Sequence, residues 1–184
     1  MTSKSKVRII GGQWRGRNLE FSAADGLRPT GSRIRETLFN WLQDVVEGAN
    51  CLDLFTGSGA LAFEASSRGA GHVVMVENNP VTVRSLRGQI LQFQANNMEL
   101  WQGSAPDFLK DNQSTFDLVL LDPPFAGFLL QESLESLASG QHLNAGALCY
   151  IEYPRCEIPN LPEGWHFFRQ KKAGEVGYSL VCAS

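Results

Sequence analysis

The chain has 184 residues, a length typical of a single folded domain. Apolar residues make up 43% of it and charged residues 19%, which excludes disordered proteins and small disulfide-stabilised scaffolds. No apolar run reaches the roughly 18 to 20 residues that span a bilayer, and no signal-peptide core follows the N-terminus. We therefore expect a soluble, cytoplasmic protein without a membrane partner.

The charges are unevenly distributed along the chain. Residues 1–35 carry a net charge of +6, whereas the remaining 149 residues carry −9. A basic end on an acidic body predicts that a polyanion binds at one place, because Arg and Lys neutralise phosphates; a merely solvated basic tail is the alternative. The predicted nucleic-acid contacts are Arg8, Trp14, Arg15, Arg17, Arg28, Arg33 and Arg35.

The first predicted element is a small β-hairpin. Residues 7–21 (VRIIGGQWRGRNLEF) contain short apolar and β-branched stretches separated by glycines, a pattern typical of a hairpin rather than a helix. We place this hairpin in a basic N-terminal extension of residues 1–27. The main domain is predicted to comprise residues 28–184.

Helical and extended patterns alternate in the main domain. Apolar residues recur at helical spacing from Ile34 for about 14 residues, with Thr30 or Ser32 as the predicted N-cap. Compact apolar runs predict five strands, at Cys51–Phe55, Val73–Glu77, Met98–Trp101, Leu118–Leu121 and Ala147–Tyr153. The helices predicted between these strands lie within Gly57–Arg68, Pro80–Phe93 (N-cap Asn79), Ala105–Leu109 and Leu129–Ala138. A closing hairpin is predicted from Trp165–Arg169 and Tyr178–Cys182.

This alternation predicts a doubly wound α/β fold, with a mostly parallel sheet and an antiparallel C-terminal edge. The four cysteines form no C-x-x-C pair and no clustered histidines accompany them, so we expect no metal site. Cys51 and Cys149 lie in apolar runs and are predicted to be buried, reduced thiols.

The segment DLFTGSGALA, which starts at Asp53, is a strand that leads into a G-x-G-x-x-A loop. Its glycines allow a tight turn and close approach of a ligand, and the following helix N-terminus supplies free N–H donors. Glu77 lies 20 positions after Gly57, where a carboxylate can accept hydrogen bonds from both ribose hydroxyls of a nucleoside cofactor. The loop alone leaves NAD and S-adenosylmethionine open, and Asp53 favours the latter because an acid there can contact its amino-acid end.

The segment Asp122-Pro123-Pro124-Phe125 follows the fourth predicted strand, at the sheet edge where α/β folds bind ligands. Because prolines lack N–H groups, the Asp122 carboxylate and the Pro123 carbonyl are free to accept hydrogen bonds from an exocyclic amine of a base. These contacts aim the nitrogen lone pair at a methyl sulfonium, while Phe125 stacks on the base. We therefore assign Asp122, Pro123 and Phe125 to the catalysis of in-line methyl transfer.

The two motifs together resemble the amino-group methyltransferases of nucleic acids that use S-adenosylmethionine. Residues 8–17 (RIIGGQWRGR), 27–30 (LRPT) and 33–42 (RIRETLFNWL) are similar to the RsmD family of bacterial 16S rRNA (guanine-N2)-methyltransferases. The resemblance covers nearly the whole chain and fades after about Pro154. It implies a Rossmann-like methyltransferase domain, an N-terminal hairpin, and a monomer that methylates one guanine amine in the 16S rRNA of the small ribosomal subunit.

The resemblance also implies roles for individual residues in binding S-adenosylmethionine. The methionine end is assigned to the first loop, the ribose to Glu77, and the adenine to the turn 103–105. Many methyltransferases have Asp or Asn in that turn, whereas Ser104 offers only a hydroxyl. Thr30 is expected near the mouth of the active site. The full predicted cofactor set is Asp53, Phe55, Thr56, Gly57, Gly59, Glu77, Asn78, Ser104, Ala105 and Asp122.

Three other functions share some of these features. A DNA adenine-N6 or cytosine-N4 methyltransferase would use the same acceptor segment, although 184 residues leave no room for a separate target-recognition domain. An NAD-dependent oxidoreductase would use the glycine loop but leaves the acceptor segment unexplained. A non-catalytic RNA-binding module would need only the arginines.

Overall fold

A computed structural model describes residues 4–22, 29–125 and 127–183 of the chain. The hairpin consists of β1 (Lys4–Arg8) and β2 (Asn18–Ser22), and α1 (Ser32–Trp41) follows it. The remaining elements are β3 (Asn50–Asp53), α2 (Ala60–Ser67), β4 (His72–Glu77), α3 (Pro80–Phe93), β5 (Met98–Gln102), α4 (Ala105–Asp111), β6 (Phe116–Leu121), α5 (Leu129–Ser139), β7 (Leu143–Pro154), β8 (His166–Ala173) and β9 (Val176–Cys182).

The main sheet has seven strands in the order β5-β4-β3-β6-β7-β9-β8. The first five are parallel to one another, whereas β9 and β8 pair antiparallel with their neighbours at one edge. This arrangement confirms the predicted α/β class, the parallel sheet and its antiparallel C-terminal edge. The strand order reverses between β3 and β6, and α/β folds bind ligands outside the carboxyl ends of the strands at such a point.

Two apolar cores cover the faces of the sheet. Successive residues of a strand point to opposite faces, so Cys51 joins the core under α1, α2 and α3, while Leu52 joins the core under α4 and α5. Cys51 and Cys149 are buried, unpaired thiols, as predicted. Within the described ranges, no helix is both long and apolar enough to cross a membrane.

Local sequence signals predicted some helix ends correctly and others incorrectly. Helix α3 has the predicted bounds because the Asn79 side chain accepts hydrogen bonds from the amides of Val81 (2.8 Å) and Thr82 (3.2 Å). Helix α1 has 10 residues instead of about 14, and Gly31 occupies its N-cap position without a side-chain hydrogen bond. The predicted cap by Thr30 or Ser32 is therefore wrong.

The N-terminal hairpin forms its own two-stranded sheet but shares a core with the main domain. Its apolar side chains pack under α1, α2 and α3, and Ile9 is only 1% exposed. The indole of Trp14 meets the ring of Phe93 edge-on, with 5.3 Å between their centroids. The hairpin is thus tied to the main domain by burial, while the domain boundary near residue 27 stays a prediction.

A fully buried carboxylate on α2 holds the hairpin and α1 together. Glu64 accepts hydrogen bonds from the amides of Ile10 (2.9 Å) and Gly11 (2.8 Å). It also accepts from Arg35 Nη1 (3.1 Å) and from Arg68 Nε (2.9 Å). Four donors therefore converge on one carboxylate, which offsets the desolvation of its charge.

Glu64→Gln should destabilise the protein strongly, because the carboxamide offers one acceptor where two oxygens now receive four donors. Loss of one partner of a buried ion pair costs about 3–5 kcal/mol, which urea unfolding followed by circular dichroism will measure. Glu36→Gln, on the exposed side of α1, is the matched control and should change the free energy of unfolding by less than about 0.5 kcal/mol. Equal stability of the two variants would contradict this role of Glu64.

Candidate active site

The acceptor segment lies at the carboxyl end of β6, beside the point where the strand order reverses. Asp122 is partly buried, and its Oδ2 accepts a hydrogen bond from the Thr30 hydroxyl at 2.7 Å. Burial raises the pKa of Asp122 to about 6, and the bond from Thr30 opposes that shift. Pro123 is buried, whereas Phe125 is 44% exposed. The structure thus places Thr30 at this segment, and the ring of Phe125 is open to a ligand.

A second carboxyl lies at the end of the neighbouring strand β3. Asp53 is 1% exposed, and among the described residues neither of its carboxyl oxygens has a hydrogen-bond partner. Burial raises the pKa of Asp53 to about 8, and the charge of Asp122 adds to the shift. The backbone amides of Phe55 and Ala62 lie near enough to oppose the shift, but neither has the geometry of a hydrogen bond to the carboxyl. An ammonium group of a ligand would supply the hydrogen-bond donors that these buried oxygens lack.

The glycine loop connects β3 to α2. Gly57 (φ 51°) and Gly59 (φ 82°) both adopt left-handed backbone conformations, which glycine reaches without strain. The amide of Gly57 donates to Glu77 Oε2 (2.9 Å), and the amide of Asn79 donates to Glu77 Oε1 (2.8 Å). These bonds fix the carboxylate at the end of β4, and each oxygen keeps a lone pair for a further donor such as a ribose hydroxyl.

Other predicted cofactor residues lie around this loop and at the end of β5. Thr56 is buried and donates its hydroxyl hydrogen to the Asp53 carbonyl (3.0 Å), whereas Asn78 is exposed. A Cβ atom on Gly103 would come within 2.3 Å of the Trp101 ring, so a side chain there would displace the indole.

The predicted adenine turn also begins α4. Ser104 is the N-cap: its hydroxyl oxygen accepts from the Asp107 amide (3.3 Å) and its hydrogen is donated to the Asp107 carboxylate. Ala105 is buried in the first turn of the same helix. Since the Ser104 hydroxyl and carbonyl are already engaged, the backbone amides of Ser104 and Ala105 are the groups left for a ligand at this turn.

Sequence reasoning missed a third carboxyl, Glu152 on β7. The register pairs Leu121 with Ile151, so Asp122 and Glu152 are the next residues along two adjacent parallel strands. Glu152 is 4% exposed, and its Oε1 accepts a hydrogen bond from the Tyr150 hydroxyl at 2.7 Å. Burial, followed by the charge of Asp122, raises the pKa of Glu152 to about 8. The sequence did carry one signal for this residue, because Glu152 is an acid inside the apolar run of residues 147–153.

A groove of about 410 Å³ opens beside the acceptor segment and is lined by Pro123, Phe125, Glu152 and several apolar side chains. Two of these apolar residues are well exposed: Phe128 by 80% and Ile158 by 55%. Aromatic faces next to a buried carboxyl suit a flat ligand that carries hydrogen-bond donors on one edge.

The structure divides the predicted RNA-binding residues into two groups. Arg8, Arg15, Arg17 and Arg33 are exposed. Of these, Arg17 stacks its guanidinium 3.8 Å above the Phe93 ring and donates to the Gln92 carbonyl (3.1 Å).

The other group is buried. Arg35 is 2% exposed and donates to Glu64, to the Thr30 carbonyl and to the Arg8 carbonyl, so its prediction as an RNA contact is wrong. Trp14, 7% exposed, belongs to the core, and the same prediction is wrong for it. Arg28 lies outside the described residues. Among the described residues, no group of three or more His, Cys, Asp or Glu is placed to hold a metal ion.

Comparisons with known proteins place the chain in one family. The family model described as "Conserved hypothetical protein 95" matches residues 7–182. Ribosomal RNA small subunit methyltransferase D of Haemophilus influenzae is 41% identical over 182 residues, which cover 97% of this chain and 94% of that protein. The protein of the same name from Escherichia coli K12 is 40% identical over 180 residues, covering 97% and 91%.

A solved structure described as a putative methyltransferase from Escherichia coli has a TM-score of 0.89 with this chain at 40% identity, over 97% of this chain and 98% of that one. Sequence and structure comparisons therefore agree over nearly the full length. The chain belongs to the RsmD family, the family of ribosomal RNA small subunit methyltransferase D, as its motifs predicted.

Proposed function

We propose that this protein transfers a methyl group from S-adenosylmethionine to the exocyclic N2 amine of one guanine in the 16S rRNA of the small ribosomal subunit. The observation that carries the proposal is the position of Asp122 and Pro123 at the reversal of strand order, next to the unpartnered carboxyl of Asp53. The names of the curated relatives specify ribosomal RNA of the small subunit, which supports this RNA as the substrate and disfavours the DNA and NAD alternatives.

The residues around the glycine loop fit the cofactor. The Asp53 carboxylate would accept hydrogen bonds from the ammonium group of its methionine end, and Glu77 would accept from the ribose hydroxyls. The loop glycines let the backbone approach the ligand closely, and the turn at 103–105 would hold the adenine. When bound, S-adenosylmethionine supplies a methyl group on a positively charged sulfur.

Asp122 and Pro123 orient the nucleophile. Two acceptors, one carboxylate oxygen and one proline carbonyl, take the two N2 hydrogens of guanine and hold the nitrogen lone pair toward the methyl group. Phe125 stacks on the base, which must leave its RNA stack to reach the groove. The Thr30 hydroxyl keeps the Asp122 carboxyl in place. After transfer the methylated nitrogen is strongly acidic and gives up its extra proton, so Asp122 need not be a strong base.

The exposed arginines of the hairpin and α1 would bind RNA phosphates around this groove. A monomer, as expected from the sequence, is part of this proposal. Ribosomal RNA as the substrate places the activity in the cytoplasm.

Asp122→Ala should abolish methylation, because the lost carboxylate orients the amine. The affinity for S-adenosylhomocysteine should change less than about threefold, because Asp122 is one of ten predicted cofactor residues and Asp53, Glu77 and the glycine loop keep their contacts. Transfer of tritium from labelled S-adenosylmethionine to small ribosomal subunits measures the first effect, and calorimetric titration measures the second. Asp44→Ala, at an exposed position after α1, is the matched control and should retain full activity. An Asp122→Ala enzyme with turnover near that of the unaltered protein would contradict the mechanism.

The affinity for S-adenosylhomocysteine should depend on pH through Asp53. The pKa of about 8 means that this carboxyl is protonated in the ligand-free protein at lower pH, whereas the ammonium group of the ligand binds the ionised form. The dissociation constant should therefore fall by up to about tenfold per unit between roughly pH 6 and pH 7.5. Asp53→Asn should bind more weakly and lose this dependence. A flat profile in the unaltered protein would show that Asp53 does not meet the ammonium group.

The double variant Arg15→Gln/Arg33→Gln should weaken binding to 16S rRNA without changing cofactor affinity. Each lost phosphate contact reduces the slope of log K against log salt by about 0.7–0.9, so the double variant should lower it by about 1.5. Filter binding at several KCl concentrations measures the slope. Lys110→Gln is the control, because Lys110 is exposed in the last turn of α4, on the opposite face of the sheet from the hairpin and α1. An unchanged slope would show that these arginines do not bind RNA phosphates.

A further inference from the structure

Glu152 has a position that the proposed reaction does not explain. It follows Ile151 on β7 just as Asp122 follows Leu121 on β6, so the two carboxyls stand side by side on adjacent strands. Glu152 lines the groove together with Pro123 and Phe125, which follow Asp122 along the chain. At 4% exposure, an acid at this place is costly to keep unless a ligand or partner uses it.

The Tyr150 hydroxyl fixes the orientation of this acid. It donates to Oε1 of Glu152 at 2.7 Å, and Tyr150 itself is fully buried. One carboxyl oxygen is therefore engaged in a bond within the protein. Oε2 is the oxygen that remains for a ligand in the groove. The Thr30 hydroxyl, which donates to Asp122, also lies close enough to Glu152 to oppose the rise of its pKa.

The edge of guanine carries three hydrogens in a row, two on the N2 amine and one on N1. In adenine and cytosine the ring nitrogen beside the amine has no hydrogen and is itself an acceptor. A site with a further acceptor next to the pair that takes the amine hydrogens is therefore complementary to guanine. Against adenine or cytosine, the same acceptor would face a lone pair and lose its hydrogen bond.

We propose that Glu152 determines specificity by accepting a hydrogen bond from N1–H of the target guanine through Oε2, while Asp122 and Pro123 accept the two N2 hydrogens. This inference rests on the proposed function and deepens it, because it accounts for the choice of guanine over other bases with amines. Glu152 does not touch the methyl group, and its part is to select and align the base.

The test compares guanine with 2-aminopurine at the methylated position of 16S rRNA. The analogue has the same N2 amine, but its N1 is an acceptor. Assays are run about one unit above the pKa of about 8 that burial and Asp122 give to Glu152, so that the carboxyl is ionised. The unaltered enzyme should favour guanine over 2-aminopurine by about 100-fold in kcat/KM.

Glu152→Gln gives a reciprocal test. The Tyr150 hydroxyl would still donate to the amide oxygen, which turns the amide NH₂ toward the base in place of Oε2. This group donates to N1 of 2-aminopurine and opposes N1–H of guanine. The variant should lose about 10- to 100-fold on guanine and prefer the analogue or accept both bases equally. Glu132→Gln, exposed on α5, is the matched control and should keep the preference for guanine.

Each outcome is decisive. Reversal or loss of the preference in Glu152→Gln, with normal binding of S-adenosylhomocysteine, supports the inference. An equal loss of activity on both bases overturns it and leaves Glu152 a structural role. If Glu152→Gln fails to fold, the unaltered enzyme still decides, because equal rates on guanine and 2-aminopurine overturn the inference. Absence of N2-methylguanine from the product nucleosides of the unaltered enzyme instead overturns the proposed function.

Discussion

A continuous series of hydrogen bonds joins the buried Glu64 carboxylate to the acceptor Asp122. Glu64 accepts from Arg35, the Nε of Arg35 donates to the Thr30 carbonyl at 3.1 Å, and the Thr30 hydroxyl donates to Asp122. Thr30 links the two ends, because its carbonyl accepts from Arg35 while its hydroxyl donates to Asp122. The position of the acceptor at the sheet edge thus depends on the ion pair between α1 and α2, because Arg35 of that pair also holds the Thr30 carbonyl just before α1.

The same ion pair explains why a cation lies inside the protein. Burial lowers the pKa of Arg35, and the charge and hydrogen bonds of Glu64 oppose that effect. A guanidinium suits such a place better than an ammonium, since its planar fork can donate in three directions. Arg35 donates to a carboxylate and two backbone carbonyls, which belong to α2, the hairpin and the segment before α1.

The sequence predicts the elements whose determinants are local and misjudges those whose partners are distant. Helix α3 was predicted with its correct bounds because Asn79 and Pro80 signal an N-terminus by themselves. Strand β7 begins at Leu143, four residues before the predicted start, because pairing with β6 extends a stretch of weak strand formers.

Among the site residues, the sequence identified those that belong to motifs. The acceptor segment and the glycine loop could be placed at the sheet edge from strand positions alone. Glu152 could not be identified as a site residue from the sequence, because only the register of β7 against β6 places it beside Asp122. Trp14 lies in the turn of the hairpin and Arg35 on helix α1, and residue type and spacing do not tell which of their side chains face the core.

The three carboxyls at the sheet edge share one electrostatic property. Asp53, Asp122 and Glu152 all have raised pKa values, caused first by burial, and Asp122 adds its charge to the shift of the other two. A cluster that resists ionisation while empty is suited to a ligand that arrives with positive charge, such as a sulfonium with an ammonium group. In the proposed methyl transfer that positive charge moves from sulfur to the guanine amine, which is bound by Asp122 and Pro123 and lies next to the N1–H that Glu152 accepts. The carboxyls would therefore stabilise the charge where it develops as well as where it begins, and their positions are fixed by strands before the reaction starts.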